Sequence, residues 1–503
     1  MAARGRTTRA AAGAGVALLL GGCVVGPKYH RPAPPPEASL PPAAAVVLAA
    51  PGMDAQRIAP GRDVQAQWWA LFRSPELDAL IGQALEKNAD LEAAKAALRS
   101  SRETWLAARG AYAPTVDAGA AATHEKNPGY LASPLASNAN IFDLYTAQLN
   151  IAYAVDVFGG VRRQAEGAAA QVEQQRFQLE AARLALTANL ASAAIQEAAV
   201  RDQIAANERL IASQRQLLDV LKIQFARGEA ARADVAAQAL ALAQAEAALP
   251  PLQRQGDQLR DQIAALAGGY PADPAARLDF ARLALPADLP GALPAGLVEH
   301  RPDIRAAEAN LHAASAAVGV AAAARLPSLS LTDAYGGQAG TIANLFAYGD
   351  QGWGVGAGIA QPVFQGFALK HRQRAAEAAL DQARAQYRST VITSLQNVAD
   401  ALHALEADAR GLGMADAADR AAQAALEVAR QRYAAGETGS TPVMAAAQTR
   451  EQAAIGLSQA KAQRLVDTVA LFQALGGGWW NRGDVEIESS SRKSRSDYPG
   501  PPR

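Results

Sequence analysis

Apolar residues recur every seven positions through two long stretches of the chain. The first stretch carries two such series, namely Val172, Leu179, Leu186, Ala193 and Val200, followed by Ile204, Ile211, Leu218 and Phe225. The second stretch carries Val391, Val398, Leu405 and Leu412 at the same spacing. Heptads of this kind pack a helix against neighbouring helices, as in a coiled coil. The pattern predicts two very long helices, and the first, over 161–226, would be roughly 100 Å long.

Alternation of apolar positions with polar or glycine positions predicts two strands. In 143–158 one face carries Tyr145, Ala147, Leu149, Ile151, Tyr153, Val155 and Val157. In 352–363 one face carries Trp353, Val355, Ala357, Ile359 and Val363, and glycines fill the other face. Partner strands are expected near 112–124 and 326–337, each begun by a proline. About ten alternating residues are enough for a tilted strand to cross a bilayer.

The second half of the chain repeats the first. Residues 90–94 return as 303–307, and 225–229 return as 433–437, so the repeating unit is about 200 residues long. Each copy is predicted to contain a half-length helix, two strands, a very long helix and a second half-length helix. The first half-length helix should begin at Ser74-Pro75-Glu76, with Ser74 as its cap, and run to about Ala108. The expected division is signal peptide 1–22, extended arm 23–74, first repeat 75–269, equatorial linker 270–296, second repeat 297–478 and disordered tail 479–503.

The start of the chain has the features of an export signal. Three arginines precede an apolar run over 10–20, which leads to Leu20-Gly21-Gly22-Cys23. This order resembles the lipidation box of bacterial lipoproteins, in which the cysteine becomes the acylated first residue. An ordinary secretory signal with a stray core cysteine is the alternative. Val24, rather than Asp, follows the cysteine and favours the outer membrane over the inner one.

Composition argues against several other classes of function. The 503 residues have a formal charge of zero, so nothing suggests the clustered basic surface that nucleic-acid binding requires. The six histidines are scattered, and no nucleophile motif accompanies them, so an enzyme, a cofactor and a metal site are not expected. Glu308 and His312 lie one helical turn apart, but two ligands are too few for a metal, and a solvated helical pair is the expected arrangement.

Four strands are too few to close a barrel in a membrane. An open edge in lipid leaves backbone groups unpaired at several kcal/mol each, so copies of the chain must share one barrel. Two copies would give eight strands and a filled interior, whereas three would give twelve strands and a lumen. The heptads also require neighbouring helices, so we expect a homotrimeric tube.

Several blocks resemble one known family. They are Cys23-Val24-Val25-Gly26-Pro27, Trp68-Trp69-Ala70-Leu71-Phe72, 301–308 and Ala474-Leu475-Gly476-Gly477-Gly478-Trp479. The chain is similar in these blocks to the outer-membrane efflux lipoproteins of the TolC-like (NodT) family. The resemblance implies a mainly α trimer with a 12-stranded β-barrel in the outer membrane and a long α-helical barrel in the periplasm. It also implies an exit duct that works with a periplasmic adaptor and an inner-membrane transporter of the resistance-nodulation-division type.

The resemblance places the functional residues at the periplasmic tip. Adaptor contacts are expected at the two glycine turns, through Phe225, Gly228, Glu229, Tyr433, Gly436, Glu437 and Thr438. The alternative is that these residues only reverse the helices. Relatives usually place an acidic residue a few positions after the second turn, where it forms a ring, but this chain has Ala445 or Ala446 there. Asp234, after the first turn, is the remaining candidate for the periplasmic aperture.

A periplasmic coiled-coil lipoprotein that acts as a structural adaptor is the alternative function. It would explain the lipid anchor and the heptads. It would leave the paired strands in both halves without a purpose.

Overall fold

The computed structural model describes residues 24–36, 47–49, 53–60, 62–128, 130, 139–273, 276–291, 294–347 and 349–484. The predicted signal peptide, Cys23 and residues 485–503 lie outside the described residues. The predicted disordered tail is wrong at its start, because Trp479–Asn481 form a 3₁₀ helix in which Trp480 is buried. The helices are α1 Pro75–Lys87, α2 Ala89–Gly110, α3 Gly160–Ala226, α4 Arg232–Leu266, α5 Pro294–His300, α6 Pro302–Ala323, α7 Ala368–Ala434 and α8 Ser440–Ala474. The strands are β1 Val47–Leu48, β2 Gln56–Pro60, β3 Thr115–Lys126, β4 Ile141–Val155, β5 Asp288–Gly291, β6 Ser328–Ala339 and β7 Gln351–Ala360.

The two halves of the chain contain matching elements. Helices α3 and α7 each have 67 residues, α4 and α8 each have 35, and α2 and α6 each have 22. Strands β3 and β6 each have 12 residues. The duplication inferred from short sequence blocks is therefore present in the helices and strands themselves.

A four-stranded antiparallel sheet stands at one end of the long helices. Its order is β3-β4-β6-β7, so β3 and β7 form its two edges. The two strands that lead into the long helices, β4 and β7, end earlier than alternation predicts, at Val155 and Ala360. The cause in the first repeat is Asp156, whose carboxylate accepts the N–H groups of Val161 and Arg162 at 3.1 and 2.9 Å and so begins α3.

Most heptad positions are buried as the sequence predicts, and Phe225, the last of the first stretch, is exposed at the tip. Leu179, Leu186 and Val200 are buried on α3, and Val398 and Leu405 are fully buried on α7. These residues belong to one apolar core that also includes α1 and the end of α8. The seam is therefore formed within a single chain, between α3, α4, α7 and α8.

The first half-length helix differs from the prediction of one helix from Ser74 to about Ala108. Ser74 caps α1 as expected, since its Oγ accepts the N–H of Leu77 at 3.3 Å. The helix breaks at Asn88, whose backbone is extended and whose Oδ1 accepts the N–H of Leu91 at 3.0 Å. Asn88 thus ends α1 and caps α2, a role that Asn often takes because its side chain competes with the helical backbone.

The middle of the molecule is held together by parts distant in sequence. Strand β2, from the predicted extended arm, pairs in parallel with β5, from the predicted linker. A short 3₁₀ helix at Trp68–Phe72 places Trp68 against Phe472 of α8, with ring centroids 5.4 Å apart. Much of the arm is therefore part of an equatorial layer around the helices.

Candidate functional site

Each long helix reverses through a glycine in the left-handed conformation. Gly228 has φ +77° and Gly436 has φ +74°. At the first turn the N–H of Gly228 donates to the Phe225 carbonyl at 2.9 Å, and that of Glu229 donates to Gln224 at 2.8 Å. The second turn repeats both bonds at 3.0 Å, from Gly436 to Tyr433 and from Glu437 to Arg432. Both are glycine stops of the Schellman type, in which a side chain on the glycine would be strained.

The two turns lie level with each other at the end of the helices away from the four-stranded sheet. Helices α3 and α8 run antiparallel, and their register is fixed by Arg209 with Glu451 at 3.3 Å and Gln203 with Gln459 at 3.2 Å. At that register Ser440, the first residue of α8, lies opposite residues 220–222, near the end of α3 at Ala226. The structure thus brings the two predicted tip turns to one end of the molecule.

The predicted tip residues are mostly accessible. Phe225 and Tyr433 keep 47% and 53% of their surface exposed, and Glu229 and Glu437 are exposed. Thr438 is half-buried, and its Oγ1 has no hydrogen-bond partner among the described residues. Each turn therefore presents an aromatic ring and a carboxylate around a rigid glycine.

Asp234 has a structural contact at the start of α4. Its Oδ2 accepts the N–H of Ala231 at 3.1 Å, so the carboxylate caps the helix while the residue stays exposed. Ala445 lies at the corresponding end of α8, where its carbonyl accepts the Thr449 hydroxyl at 3.0 Å. The second turn is therefore followed by an uncharged surface at that height.

Residues 24–31 dock onto α3 and α6, which the sequence did not predict. The N–H of Val25 donates to the Phe158 carbonyl at 3.2 Å, and the carbonyl of Val25 accepts from Arg163 Nε at 3.3 Å. Arg163 is nearly fully buried, and its Nη1 also donates to Glu166 at 2.8 Å. The signal for this site was Arg163, a charged residue that lies between Gly160 and Gly167 on the face of α3 toward α6.

Glu308 and His312 are not the solvated helical pair that the sequence indicated. Tyr29 stacks on His312 with ring centroids 4.2 Å apart, and its hydroxyl donates to Glu308 at 3.2 Å. Arg31 also pairs with Glu308 at 3.0 Å, while His312 bonds to Glu166 at 2.9 Å. Burial, followed by the charge of Glu308, raises the pKa of Tyr29 above its ordinary range, and the bond from His312 lowers the pKa of Glu166. The pair is a binding surface for the arm.

The described residues include no group of three or more His, Cys, Asp or Glu side chains suited to a metal ion. Within the same ranges, no helix combines the length and the apolar character that a bilayer crossing requires.

Comparison with known proteins defines the class. The family model described as "Outer membrane efflux protein" matches residues 80–269 and 293–477, the two repeats. The chain is 30% identical over 421 residues to the pyoverdine export outer membrane protein OpmQ of Pseudomonas putida, covering 82% of this chain and 88% of that protein. It is 29% identical over 466 residues to OprJ of Pseudomonas aeruginosa, covering 92% and 95%.

Solved structures agree. The outer-membrane channel OprN superposes with a TM-score of 0.79 at 28% identity, covering 91% of this chain and all of that one. VceC of Vibrio cholerae superposes with a TM-score of 0.73 at 26% identity, covering 83% of this chain and all of that one. The fold is that of the TolC-like outer-membrane channels.

The chain belongs to the outer membrane efflux protein family. It is an outer-membrane exit channel of a tripartite efflux pump, with a helical barrel in the periplasm. This is a family of transport channels and not of enzymes, and its channels work as trimers with an adaptor and an inner-membrane transporter. These findings favour the channel over the alternative of a coiled-coil lipoprotein.

Proposed function

We propose that this channel is a passive duct whose two glycine turns, at Gly228 and Gly436, are its contact with a periplasmic adaptor. The observation that carries the proposal is the repeated display of an exposed aromatic ring and an exposed carboxylate around each turn, Phe225 with Glu229 and Tyr433 with Glu437. Rigid turns that present aromatic and charged side chains suit docking to another protein, because little conformational freedom is lost.

The proposed inner-membrane partner is a transporter of the resistance-nodulation-division type. Relatives are named for export of different cargoes, such as the pyoverdine export protein OpmQ and the toluene efflux protein TtgF of Pseudomonas putida. Such variety among similar channels fits a duct in which the transporter selects the cargo. The proposed mechanism uses no cofactor and no catalytic residue of this chain.

Asp234 is the proposed carboxylate of the periplasmic aperture. Three copies of it around one axis would repel each other and attract cations. Its bond to Ala231 keeps the carboxylate in a fixed place at the start of α4. Because Ala445 and Ala446 supply no second acidic ring, Asp234→Asn is expected to change the cation preference of single channels in planar bilayers. An unchanged preference would remove Asp234 from this role.

We also propose that Cys23 carries the acyl anchor in the outer membrane. Cys23 itself lies outside the described residues, but the next two residues support the proposal. Val24 packs against Gly159, and Val25 bonds to Phe158, where β4 passes into α3. The arm therefore starts at the end of the four-stranded sheet, close to the membrane boundary. Mass spectrometry of the mature N-terminal peptide tests this, and an unmodified Cys23 would contradict it.

The test of the main proposal combines genetics and crosslinking. A deletion strain should become susceptible to several exported compounds, and the intact gene should restore resistance. A photo-crosslinking residue placed at Glu229 or Glu437 should capture one periplasmic protein, while the same residue at Gln396, halfway along α7 and exposed, should not. Equal capture from both heights would argue against a tip contact.

A further inference from the structure

The two junctions between sheet and long helix each place a left-handed residue directly before the helix but differ in side chains. Residue Gly159 precedes α3 in the left-handed conformation, with φ +78°, and Phe367 precedes α7 in the same conformation, with φ +63°. A glycine adopts this conformation freely, whereas a residue with a Cβ is disfavoured in it. Such a residue persists where its surroundings hold it in place.

The first junction is filled by the N-terminal arm. A Cβ added to Gly159 would lie 3.0 Å from the Cα of Val24, and one added to Gly26 would lie 2.5 Å from the Cα of Gly319. Arg163 secures the arm through its bond to Val25. Glycines on α6 and before α3 thus leave a gap as thick as one backbone, and residues 24–26 occupy it.

The second junction has two large apolar residues at the equivalent places. Phe367 corresponds to Gly159, since each precedes a 67-residue helix. Leu106 corresponds to Gly319, since each lies four residues before the end of a 22-residue helix, α2 or α6. In the single chain Phe367 is 62% exposed and Leu106 is 43% exposed. Phe364 supports Phe367 in an edge-to-face contact, with ring centroids 5.6 Å apart.

We infer that Phe367 of one copy packs against Leu106 of the next copy and fills the space that the arm fills inside each chain. The inference rests on the shared barrel proposed for this channel. Within one copy, α3 lies beside α6. In a closed ring, the equivalent helices α7 and α2 come from neighbouring copies, so α7 of one copy lies beside α2 of the next. The chain has only one N-terminal arm for the two junctions, so side chains must fill the second.

Charge on the same two helix faces also favours a second copy as the occupant. Ala316 on α6 faces Gly167 on α3, since a Cβ on Gly167 would lie 3.5 Å from that of Ala316. The corresponding positions on α2 and α7 are Glu103 and Ala375, and Arg374 is next to the latter. Glu103, Arg374 and Ala375 are all exposed in the single chain. Pairing of two copies would bring the carboxylate of Glu103 close to the guanidinium of Arg374 in the neighbouring copy.

Cysteine crosslinking in the full-length channel tests the contact. Leu106→Cys and Phe367→Cys are combined, and outer-membrane fractions are treated with a short bis-maleimide. A bifunctional reagent is needed because a gap one backbone thick is too wide for a disulfide. We expect covalent dimers and trimers on heated gels, and only monomers from either single variant.

The matched control combines Leu106→Cys with Leu369→Cys. Leu369 is two residues from Phe367 but lines a groove of about 510 Å³ with Ala313 and Ala317 of its own chain. This control should give no covalent trimer. A trimer of similar yield from the control would overturn the inference, because the crosslinks would then reflect proximity alone.

Side-chain removal gives a second readout. Phe367→Gly suits the left-handed backbone better than the native residue, so the folded chain should tolerate it. The temperature at which the trimer dissociates on gels should nevertheless fall by several degrees, because the junction is left empty. An unchanged dissociation temperature would contradict the packing.

The outcomes separate this inference from the proposed function. Trimers on unheated gels without crosslinks between positions 106 and 367 would overturn the contact and leave the channel assignment intact. Labelling of Phe367→Cys by a lipid-soluble maleimide in intact trimers would show that lipid is the occupant, which also overturns it. Monomers on unheated gels would instead refute the shared barrel.

Discussion

Arg464 shows how a single residue can depend on its surroundings. It is fully buried, its Nη1 donates to the Leu405 carbonyl, and its Nε and Nη2 have no hydrogen-bond partner within the described ranges. Two carboxylates, Asp408 on α7 and Asp467 on α8, supply the opposing charge. Burial, then a hydrogen bond with Asp467 and repulsion by it, raises the pKa of Asp408 to about 7. The charge of this cluster of Arg464, Asp408 and Asp467 between α7 and α8 therefore depends on pH.

The first prediction concerns Asp408. The ordinary pKa of an aspartate is 3.8, so between that pH and about 7 the folded chain keeps a proton that the unfolded chain has released. The free energy of unfolding must therefore fall as pH rises through this window. Asp408→Asn should flatten the dependence and make the channel more stable than the native chain at pH 8. Thermal unfolding of both proteins at pH 5 and pH 8 measures the pH dependence and the difference in stability at pH 8. An equal change in stability between the two pH values in both proteins would contradict the shifted pKa.

Leu218 lies in the packed seam between α3 and α4. Its side chain is buried one helical turn after Gln214. The backbone carbonyl of Gln214 accepts a hydrogen bond from the Gln238 side chain of α4 at 3.1 Å. The loss of packing alone on Leu218→Asp should cost about 2–5 kcal/mol, and a charge in an apolar seam adds to this. Because the seam lies within one chain, we expect the α3–α4 pair to loosen and trimers to be lost. The exposed Ile223→Asp is the control, and equal trimer yields would show that the seam is assigned wrongly.

At the scale of elements, the two glycine turns and the docked arm define where the channel meets other molecules. Both turns are built by backbone hydrogen bonds and a left-handed glycine, and their exposed side chains play no part in forming them. The arm is held by Arg163 and Tyr29, which are themselves buried or half-buried. Tip side chains can thus change without loss of the fold, whereas a change in the residues that hold the arm should release it from the helices.

Gly436→Val tests the turn. A β-branched residue in the left-handed conformation costs about 1–2 kcal/mol, which a helix end far from the core can absorb by shifting. Trimers should remain, and co-purification of the adaptor should fall at least several-fold. Gly456→Ala, at an open helical position on α8, is the matched control and should bind normally. Adaptor binding that survives Gly436→Val would leave the turn with a structural role only.

Arg163→Ala tests the arm. The change removes the Arg163 donor from the carbonyl of Val25 and one of the two partners of the Glu166 carboxylate, which keeps its bond to His312. Residues 24–31 should lose protection in hydrogen exchange and become cleavable, while α3 stays folded. Arg372→Ala, an exposed position on α7, should leave the arm protected. Full protection in both variants would mean that the arm is held by other contacts.

At the scale of the whole molecule, the sheet determines the assembly. Its edges β3 and β7 are unpaired in the single chain, and each unpaired backbone group in lipid would cost several kcal/mol. Pairing β7 of one copy with β3 of the next removes all of these edges. The α-helical barrel follows, because each copy supplies α3, α4, α7 and α8 to the same ring.

The corresponding prediction is a trimer that resists detergent. Unheated samples should migrate as three chains of 52.2 kDa, less the signal peptide, and heating should convert them to monomers. The reason is that the shared strands bury all their backbone donors and acceptors, so the detergent alone cannot compete. Monomers without heating, or a loss of β-structure in circular dichroism, would contradict the shared barrel.

The long helices, their glycine stops, the paired strands and the duplication could be predicted from the sequence, because heptad spacing, alternation and glycine act locally. The sequence also indicated Ser74 as a cap, but the break at Asn88 was not predicted. An asparagine ends a helix only where the surrounding structure allows the backbone to leave the helical conformation. The docking of the arm on Arg163 and His312, the burial of Arg464 with Asp408, and the different fillings of the two junctions were decided by tertiary structure. Each of these features depends on residues that are more than a hundred positions apart or lie on opposite helices. A local sequence pattern does not show which distant side chain packs into a given gap.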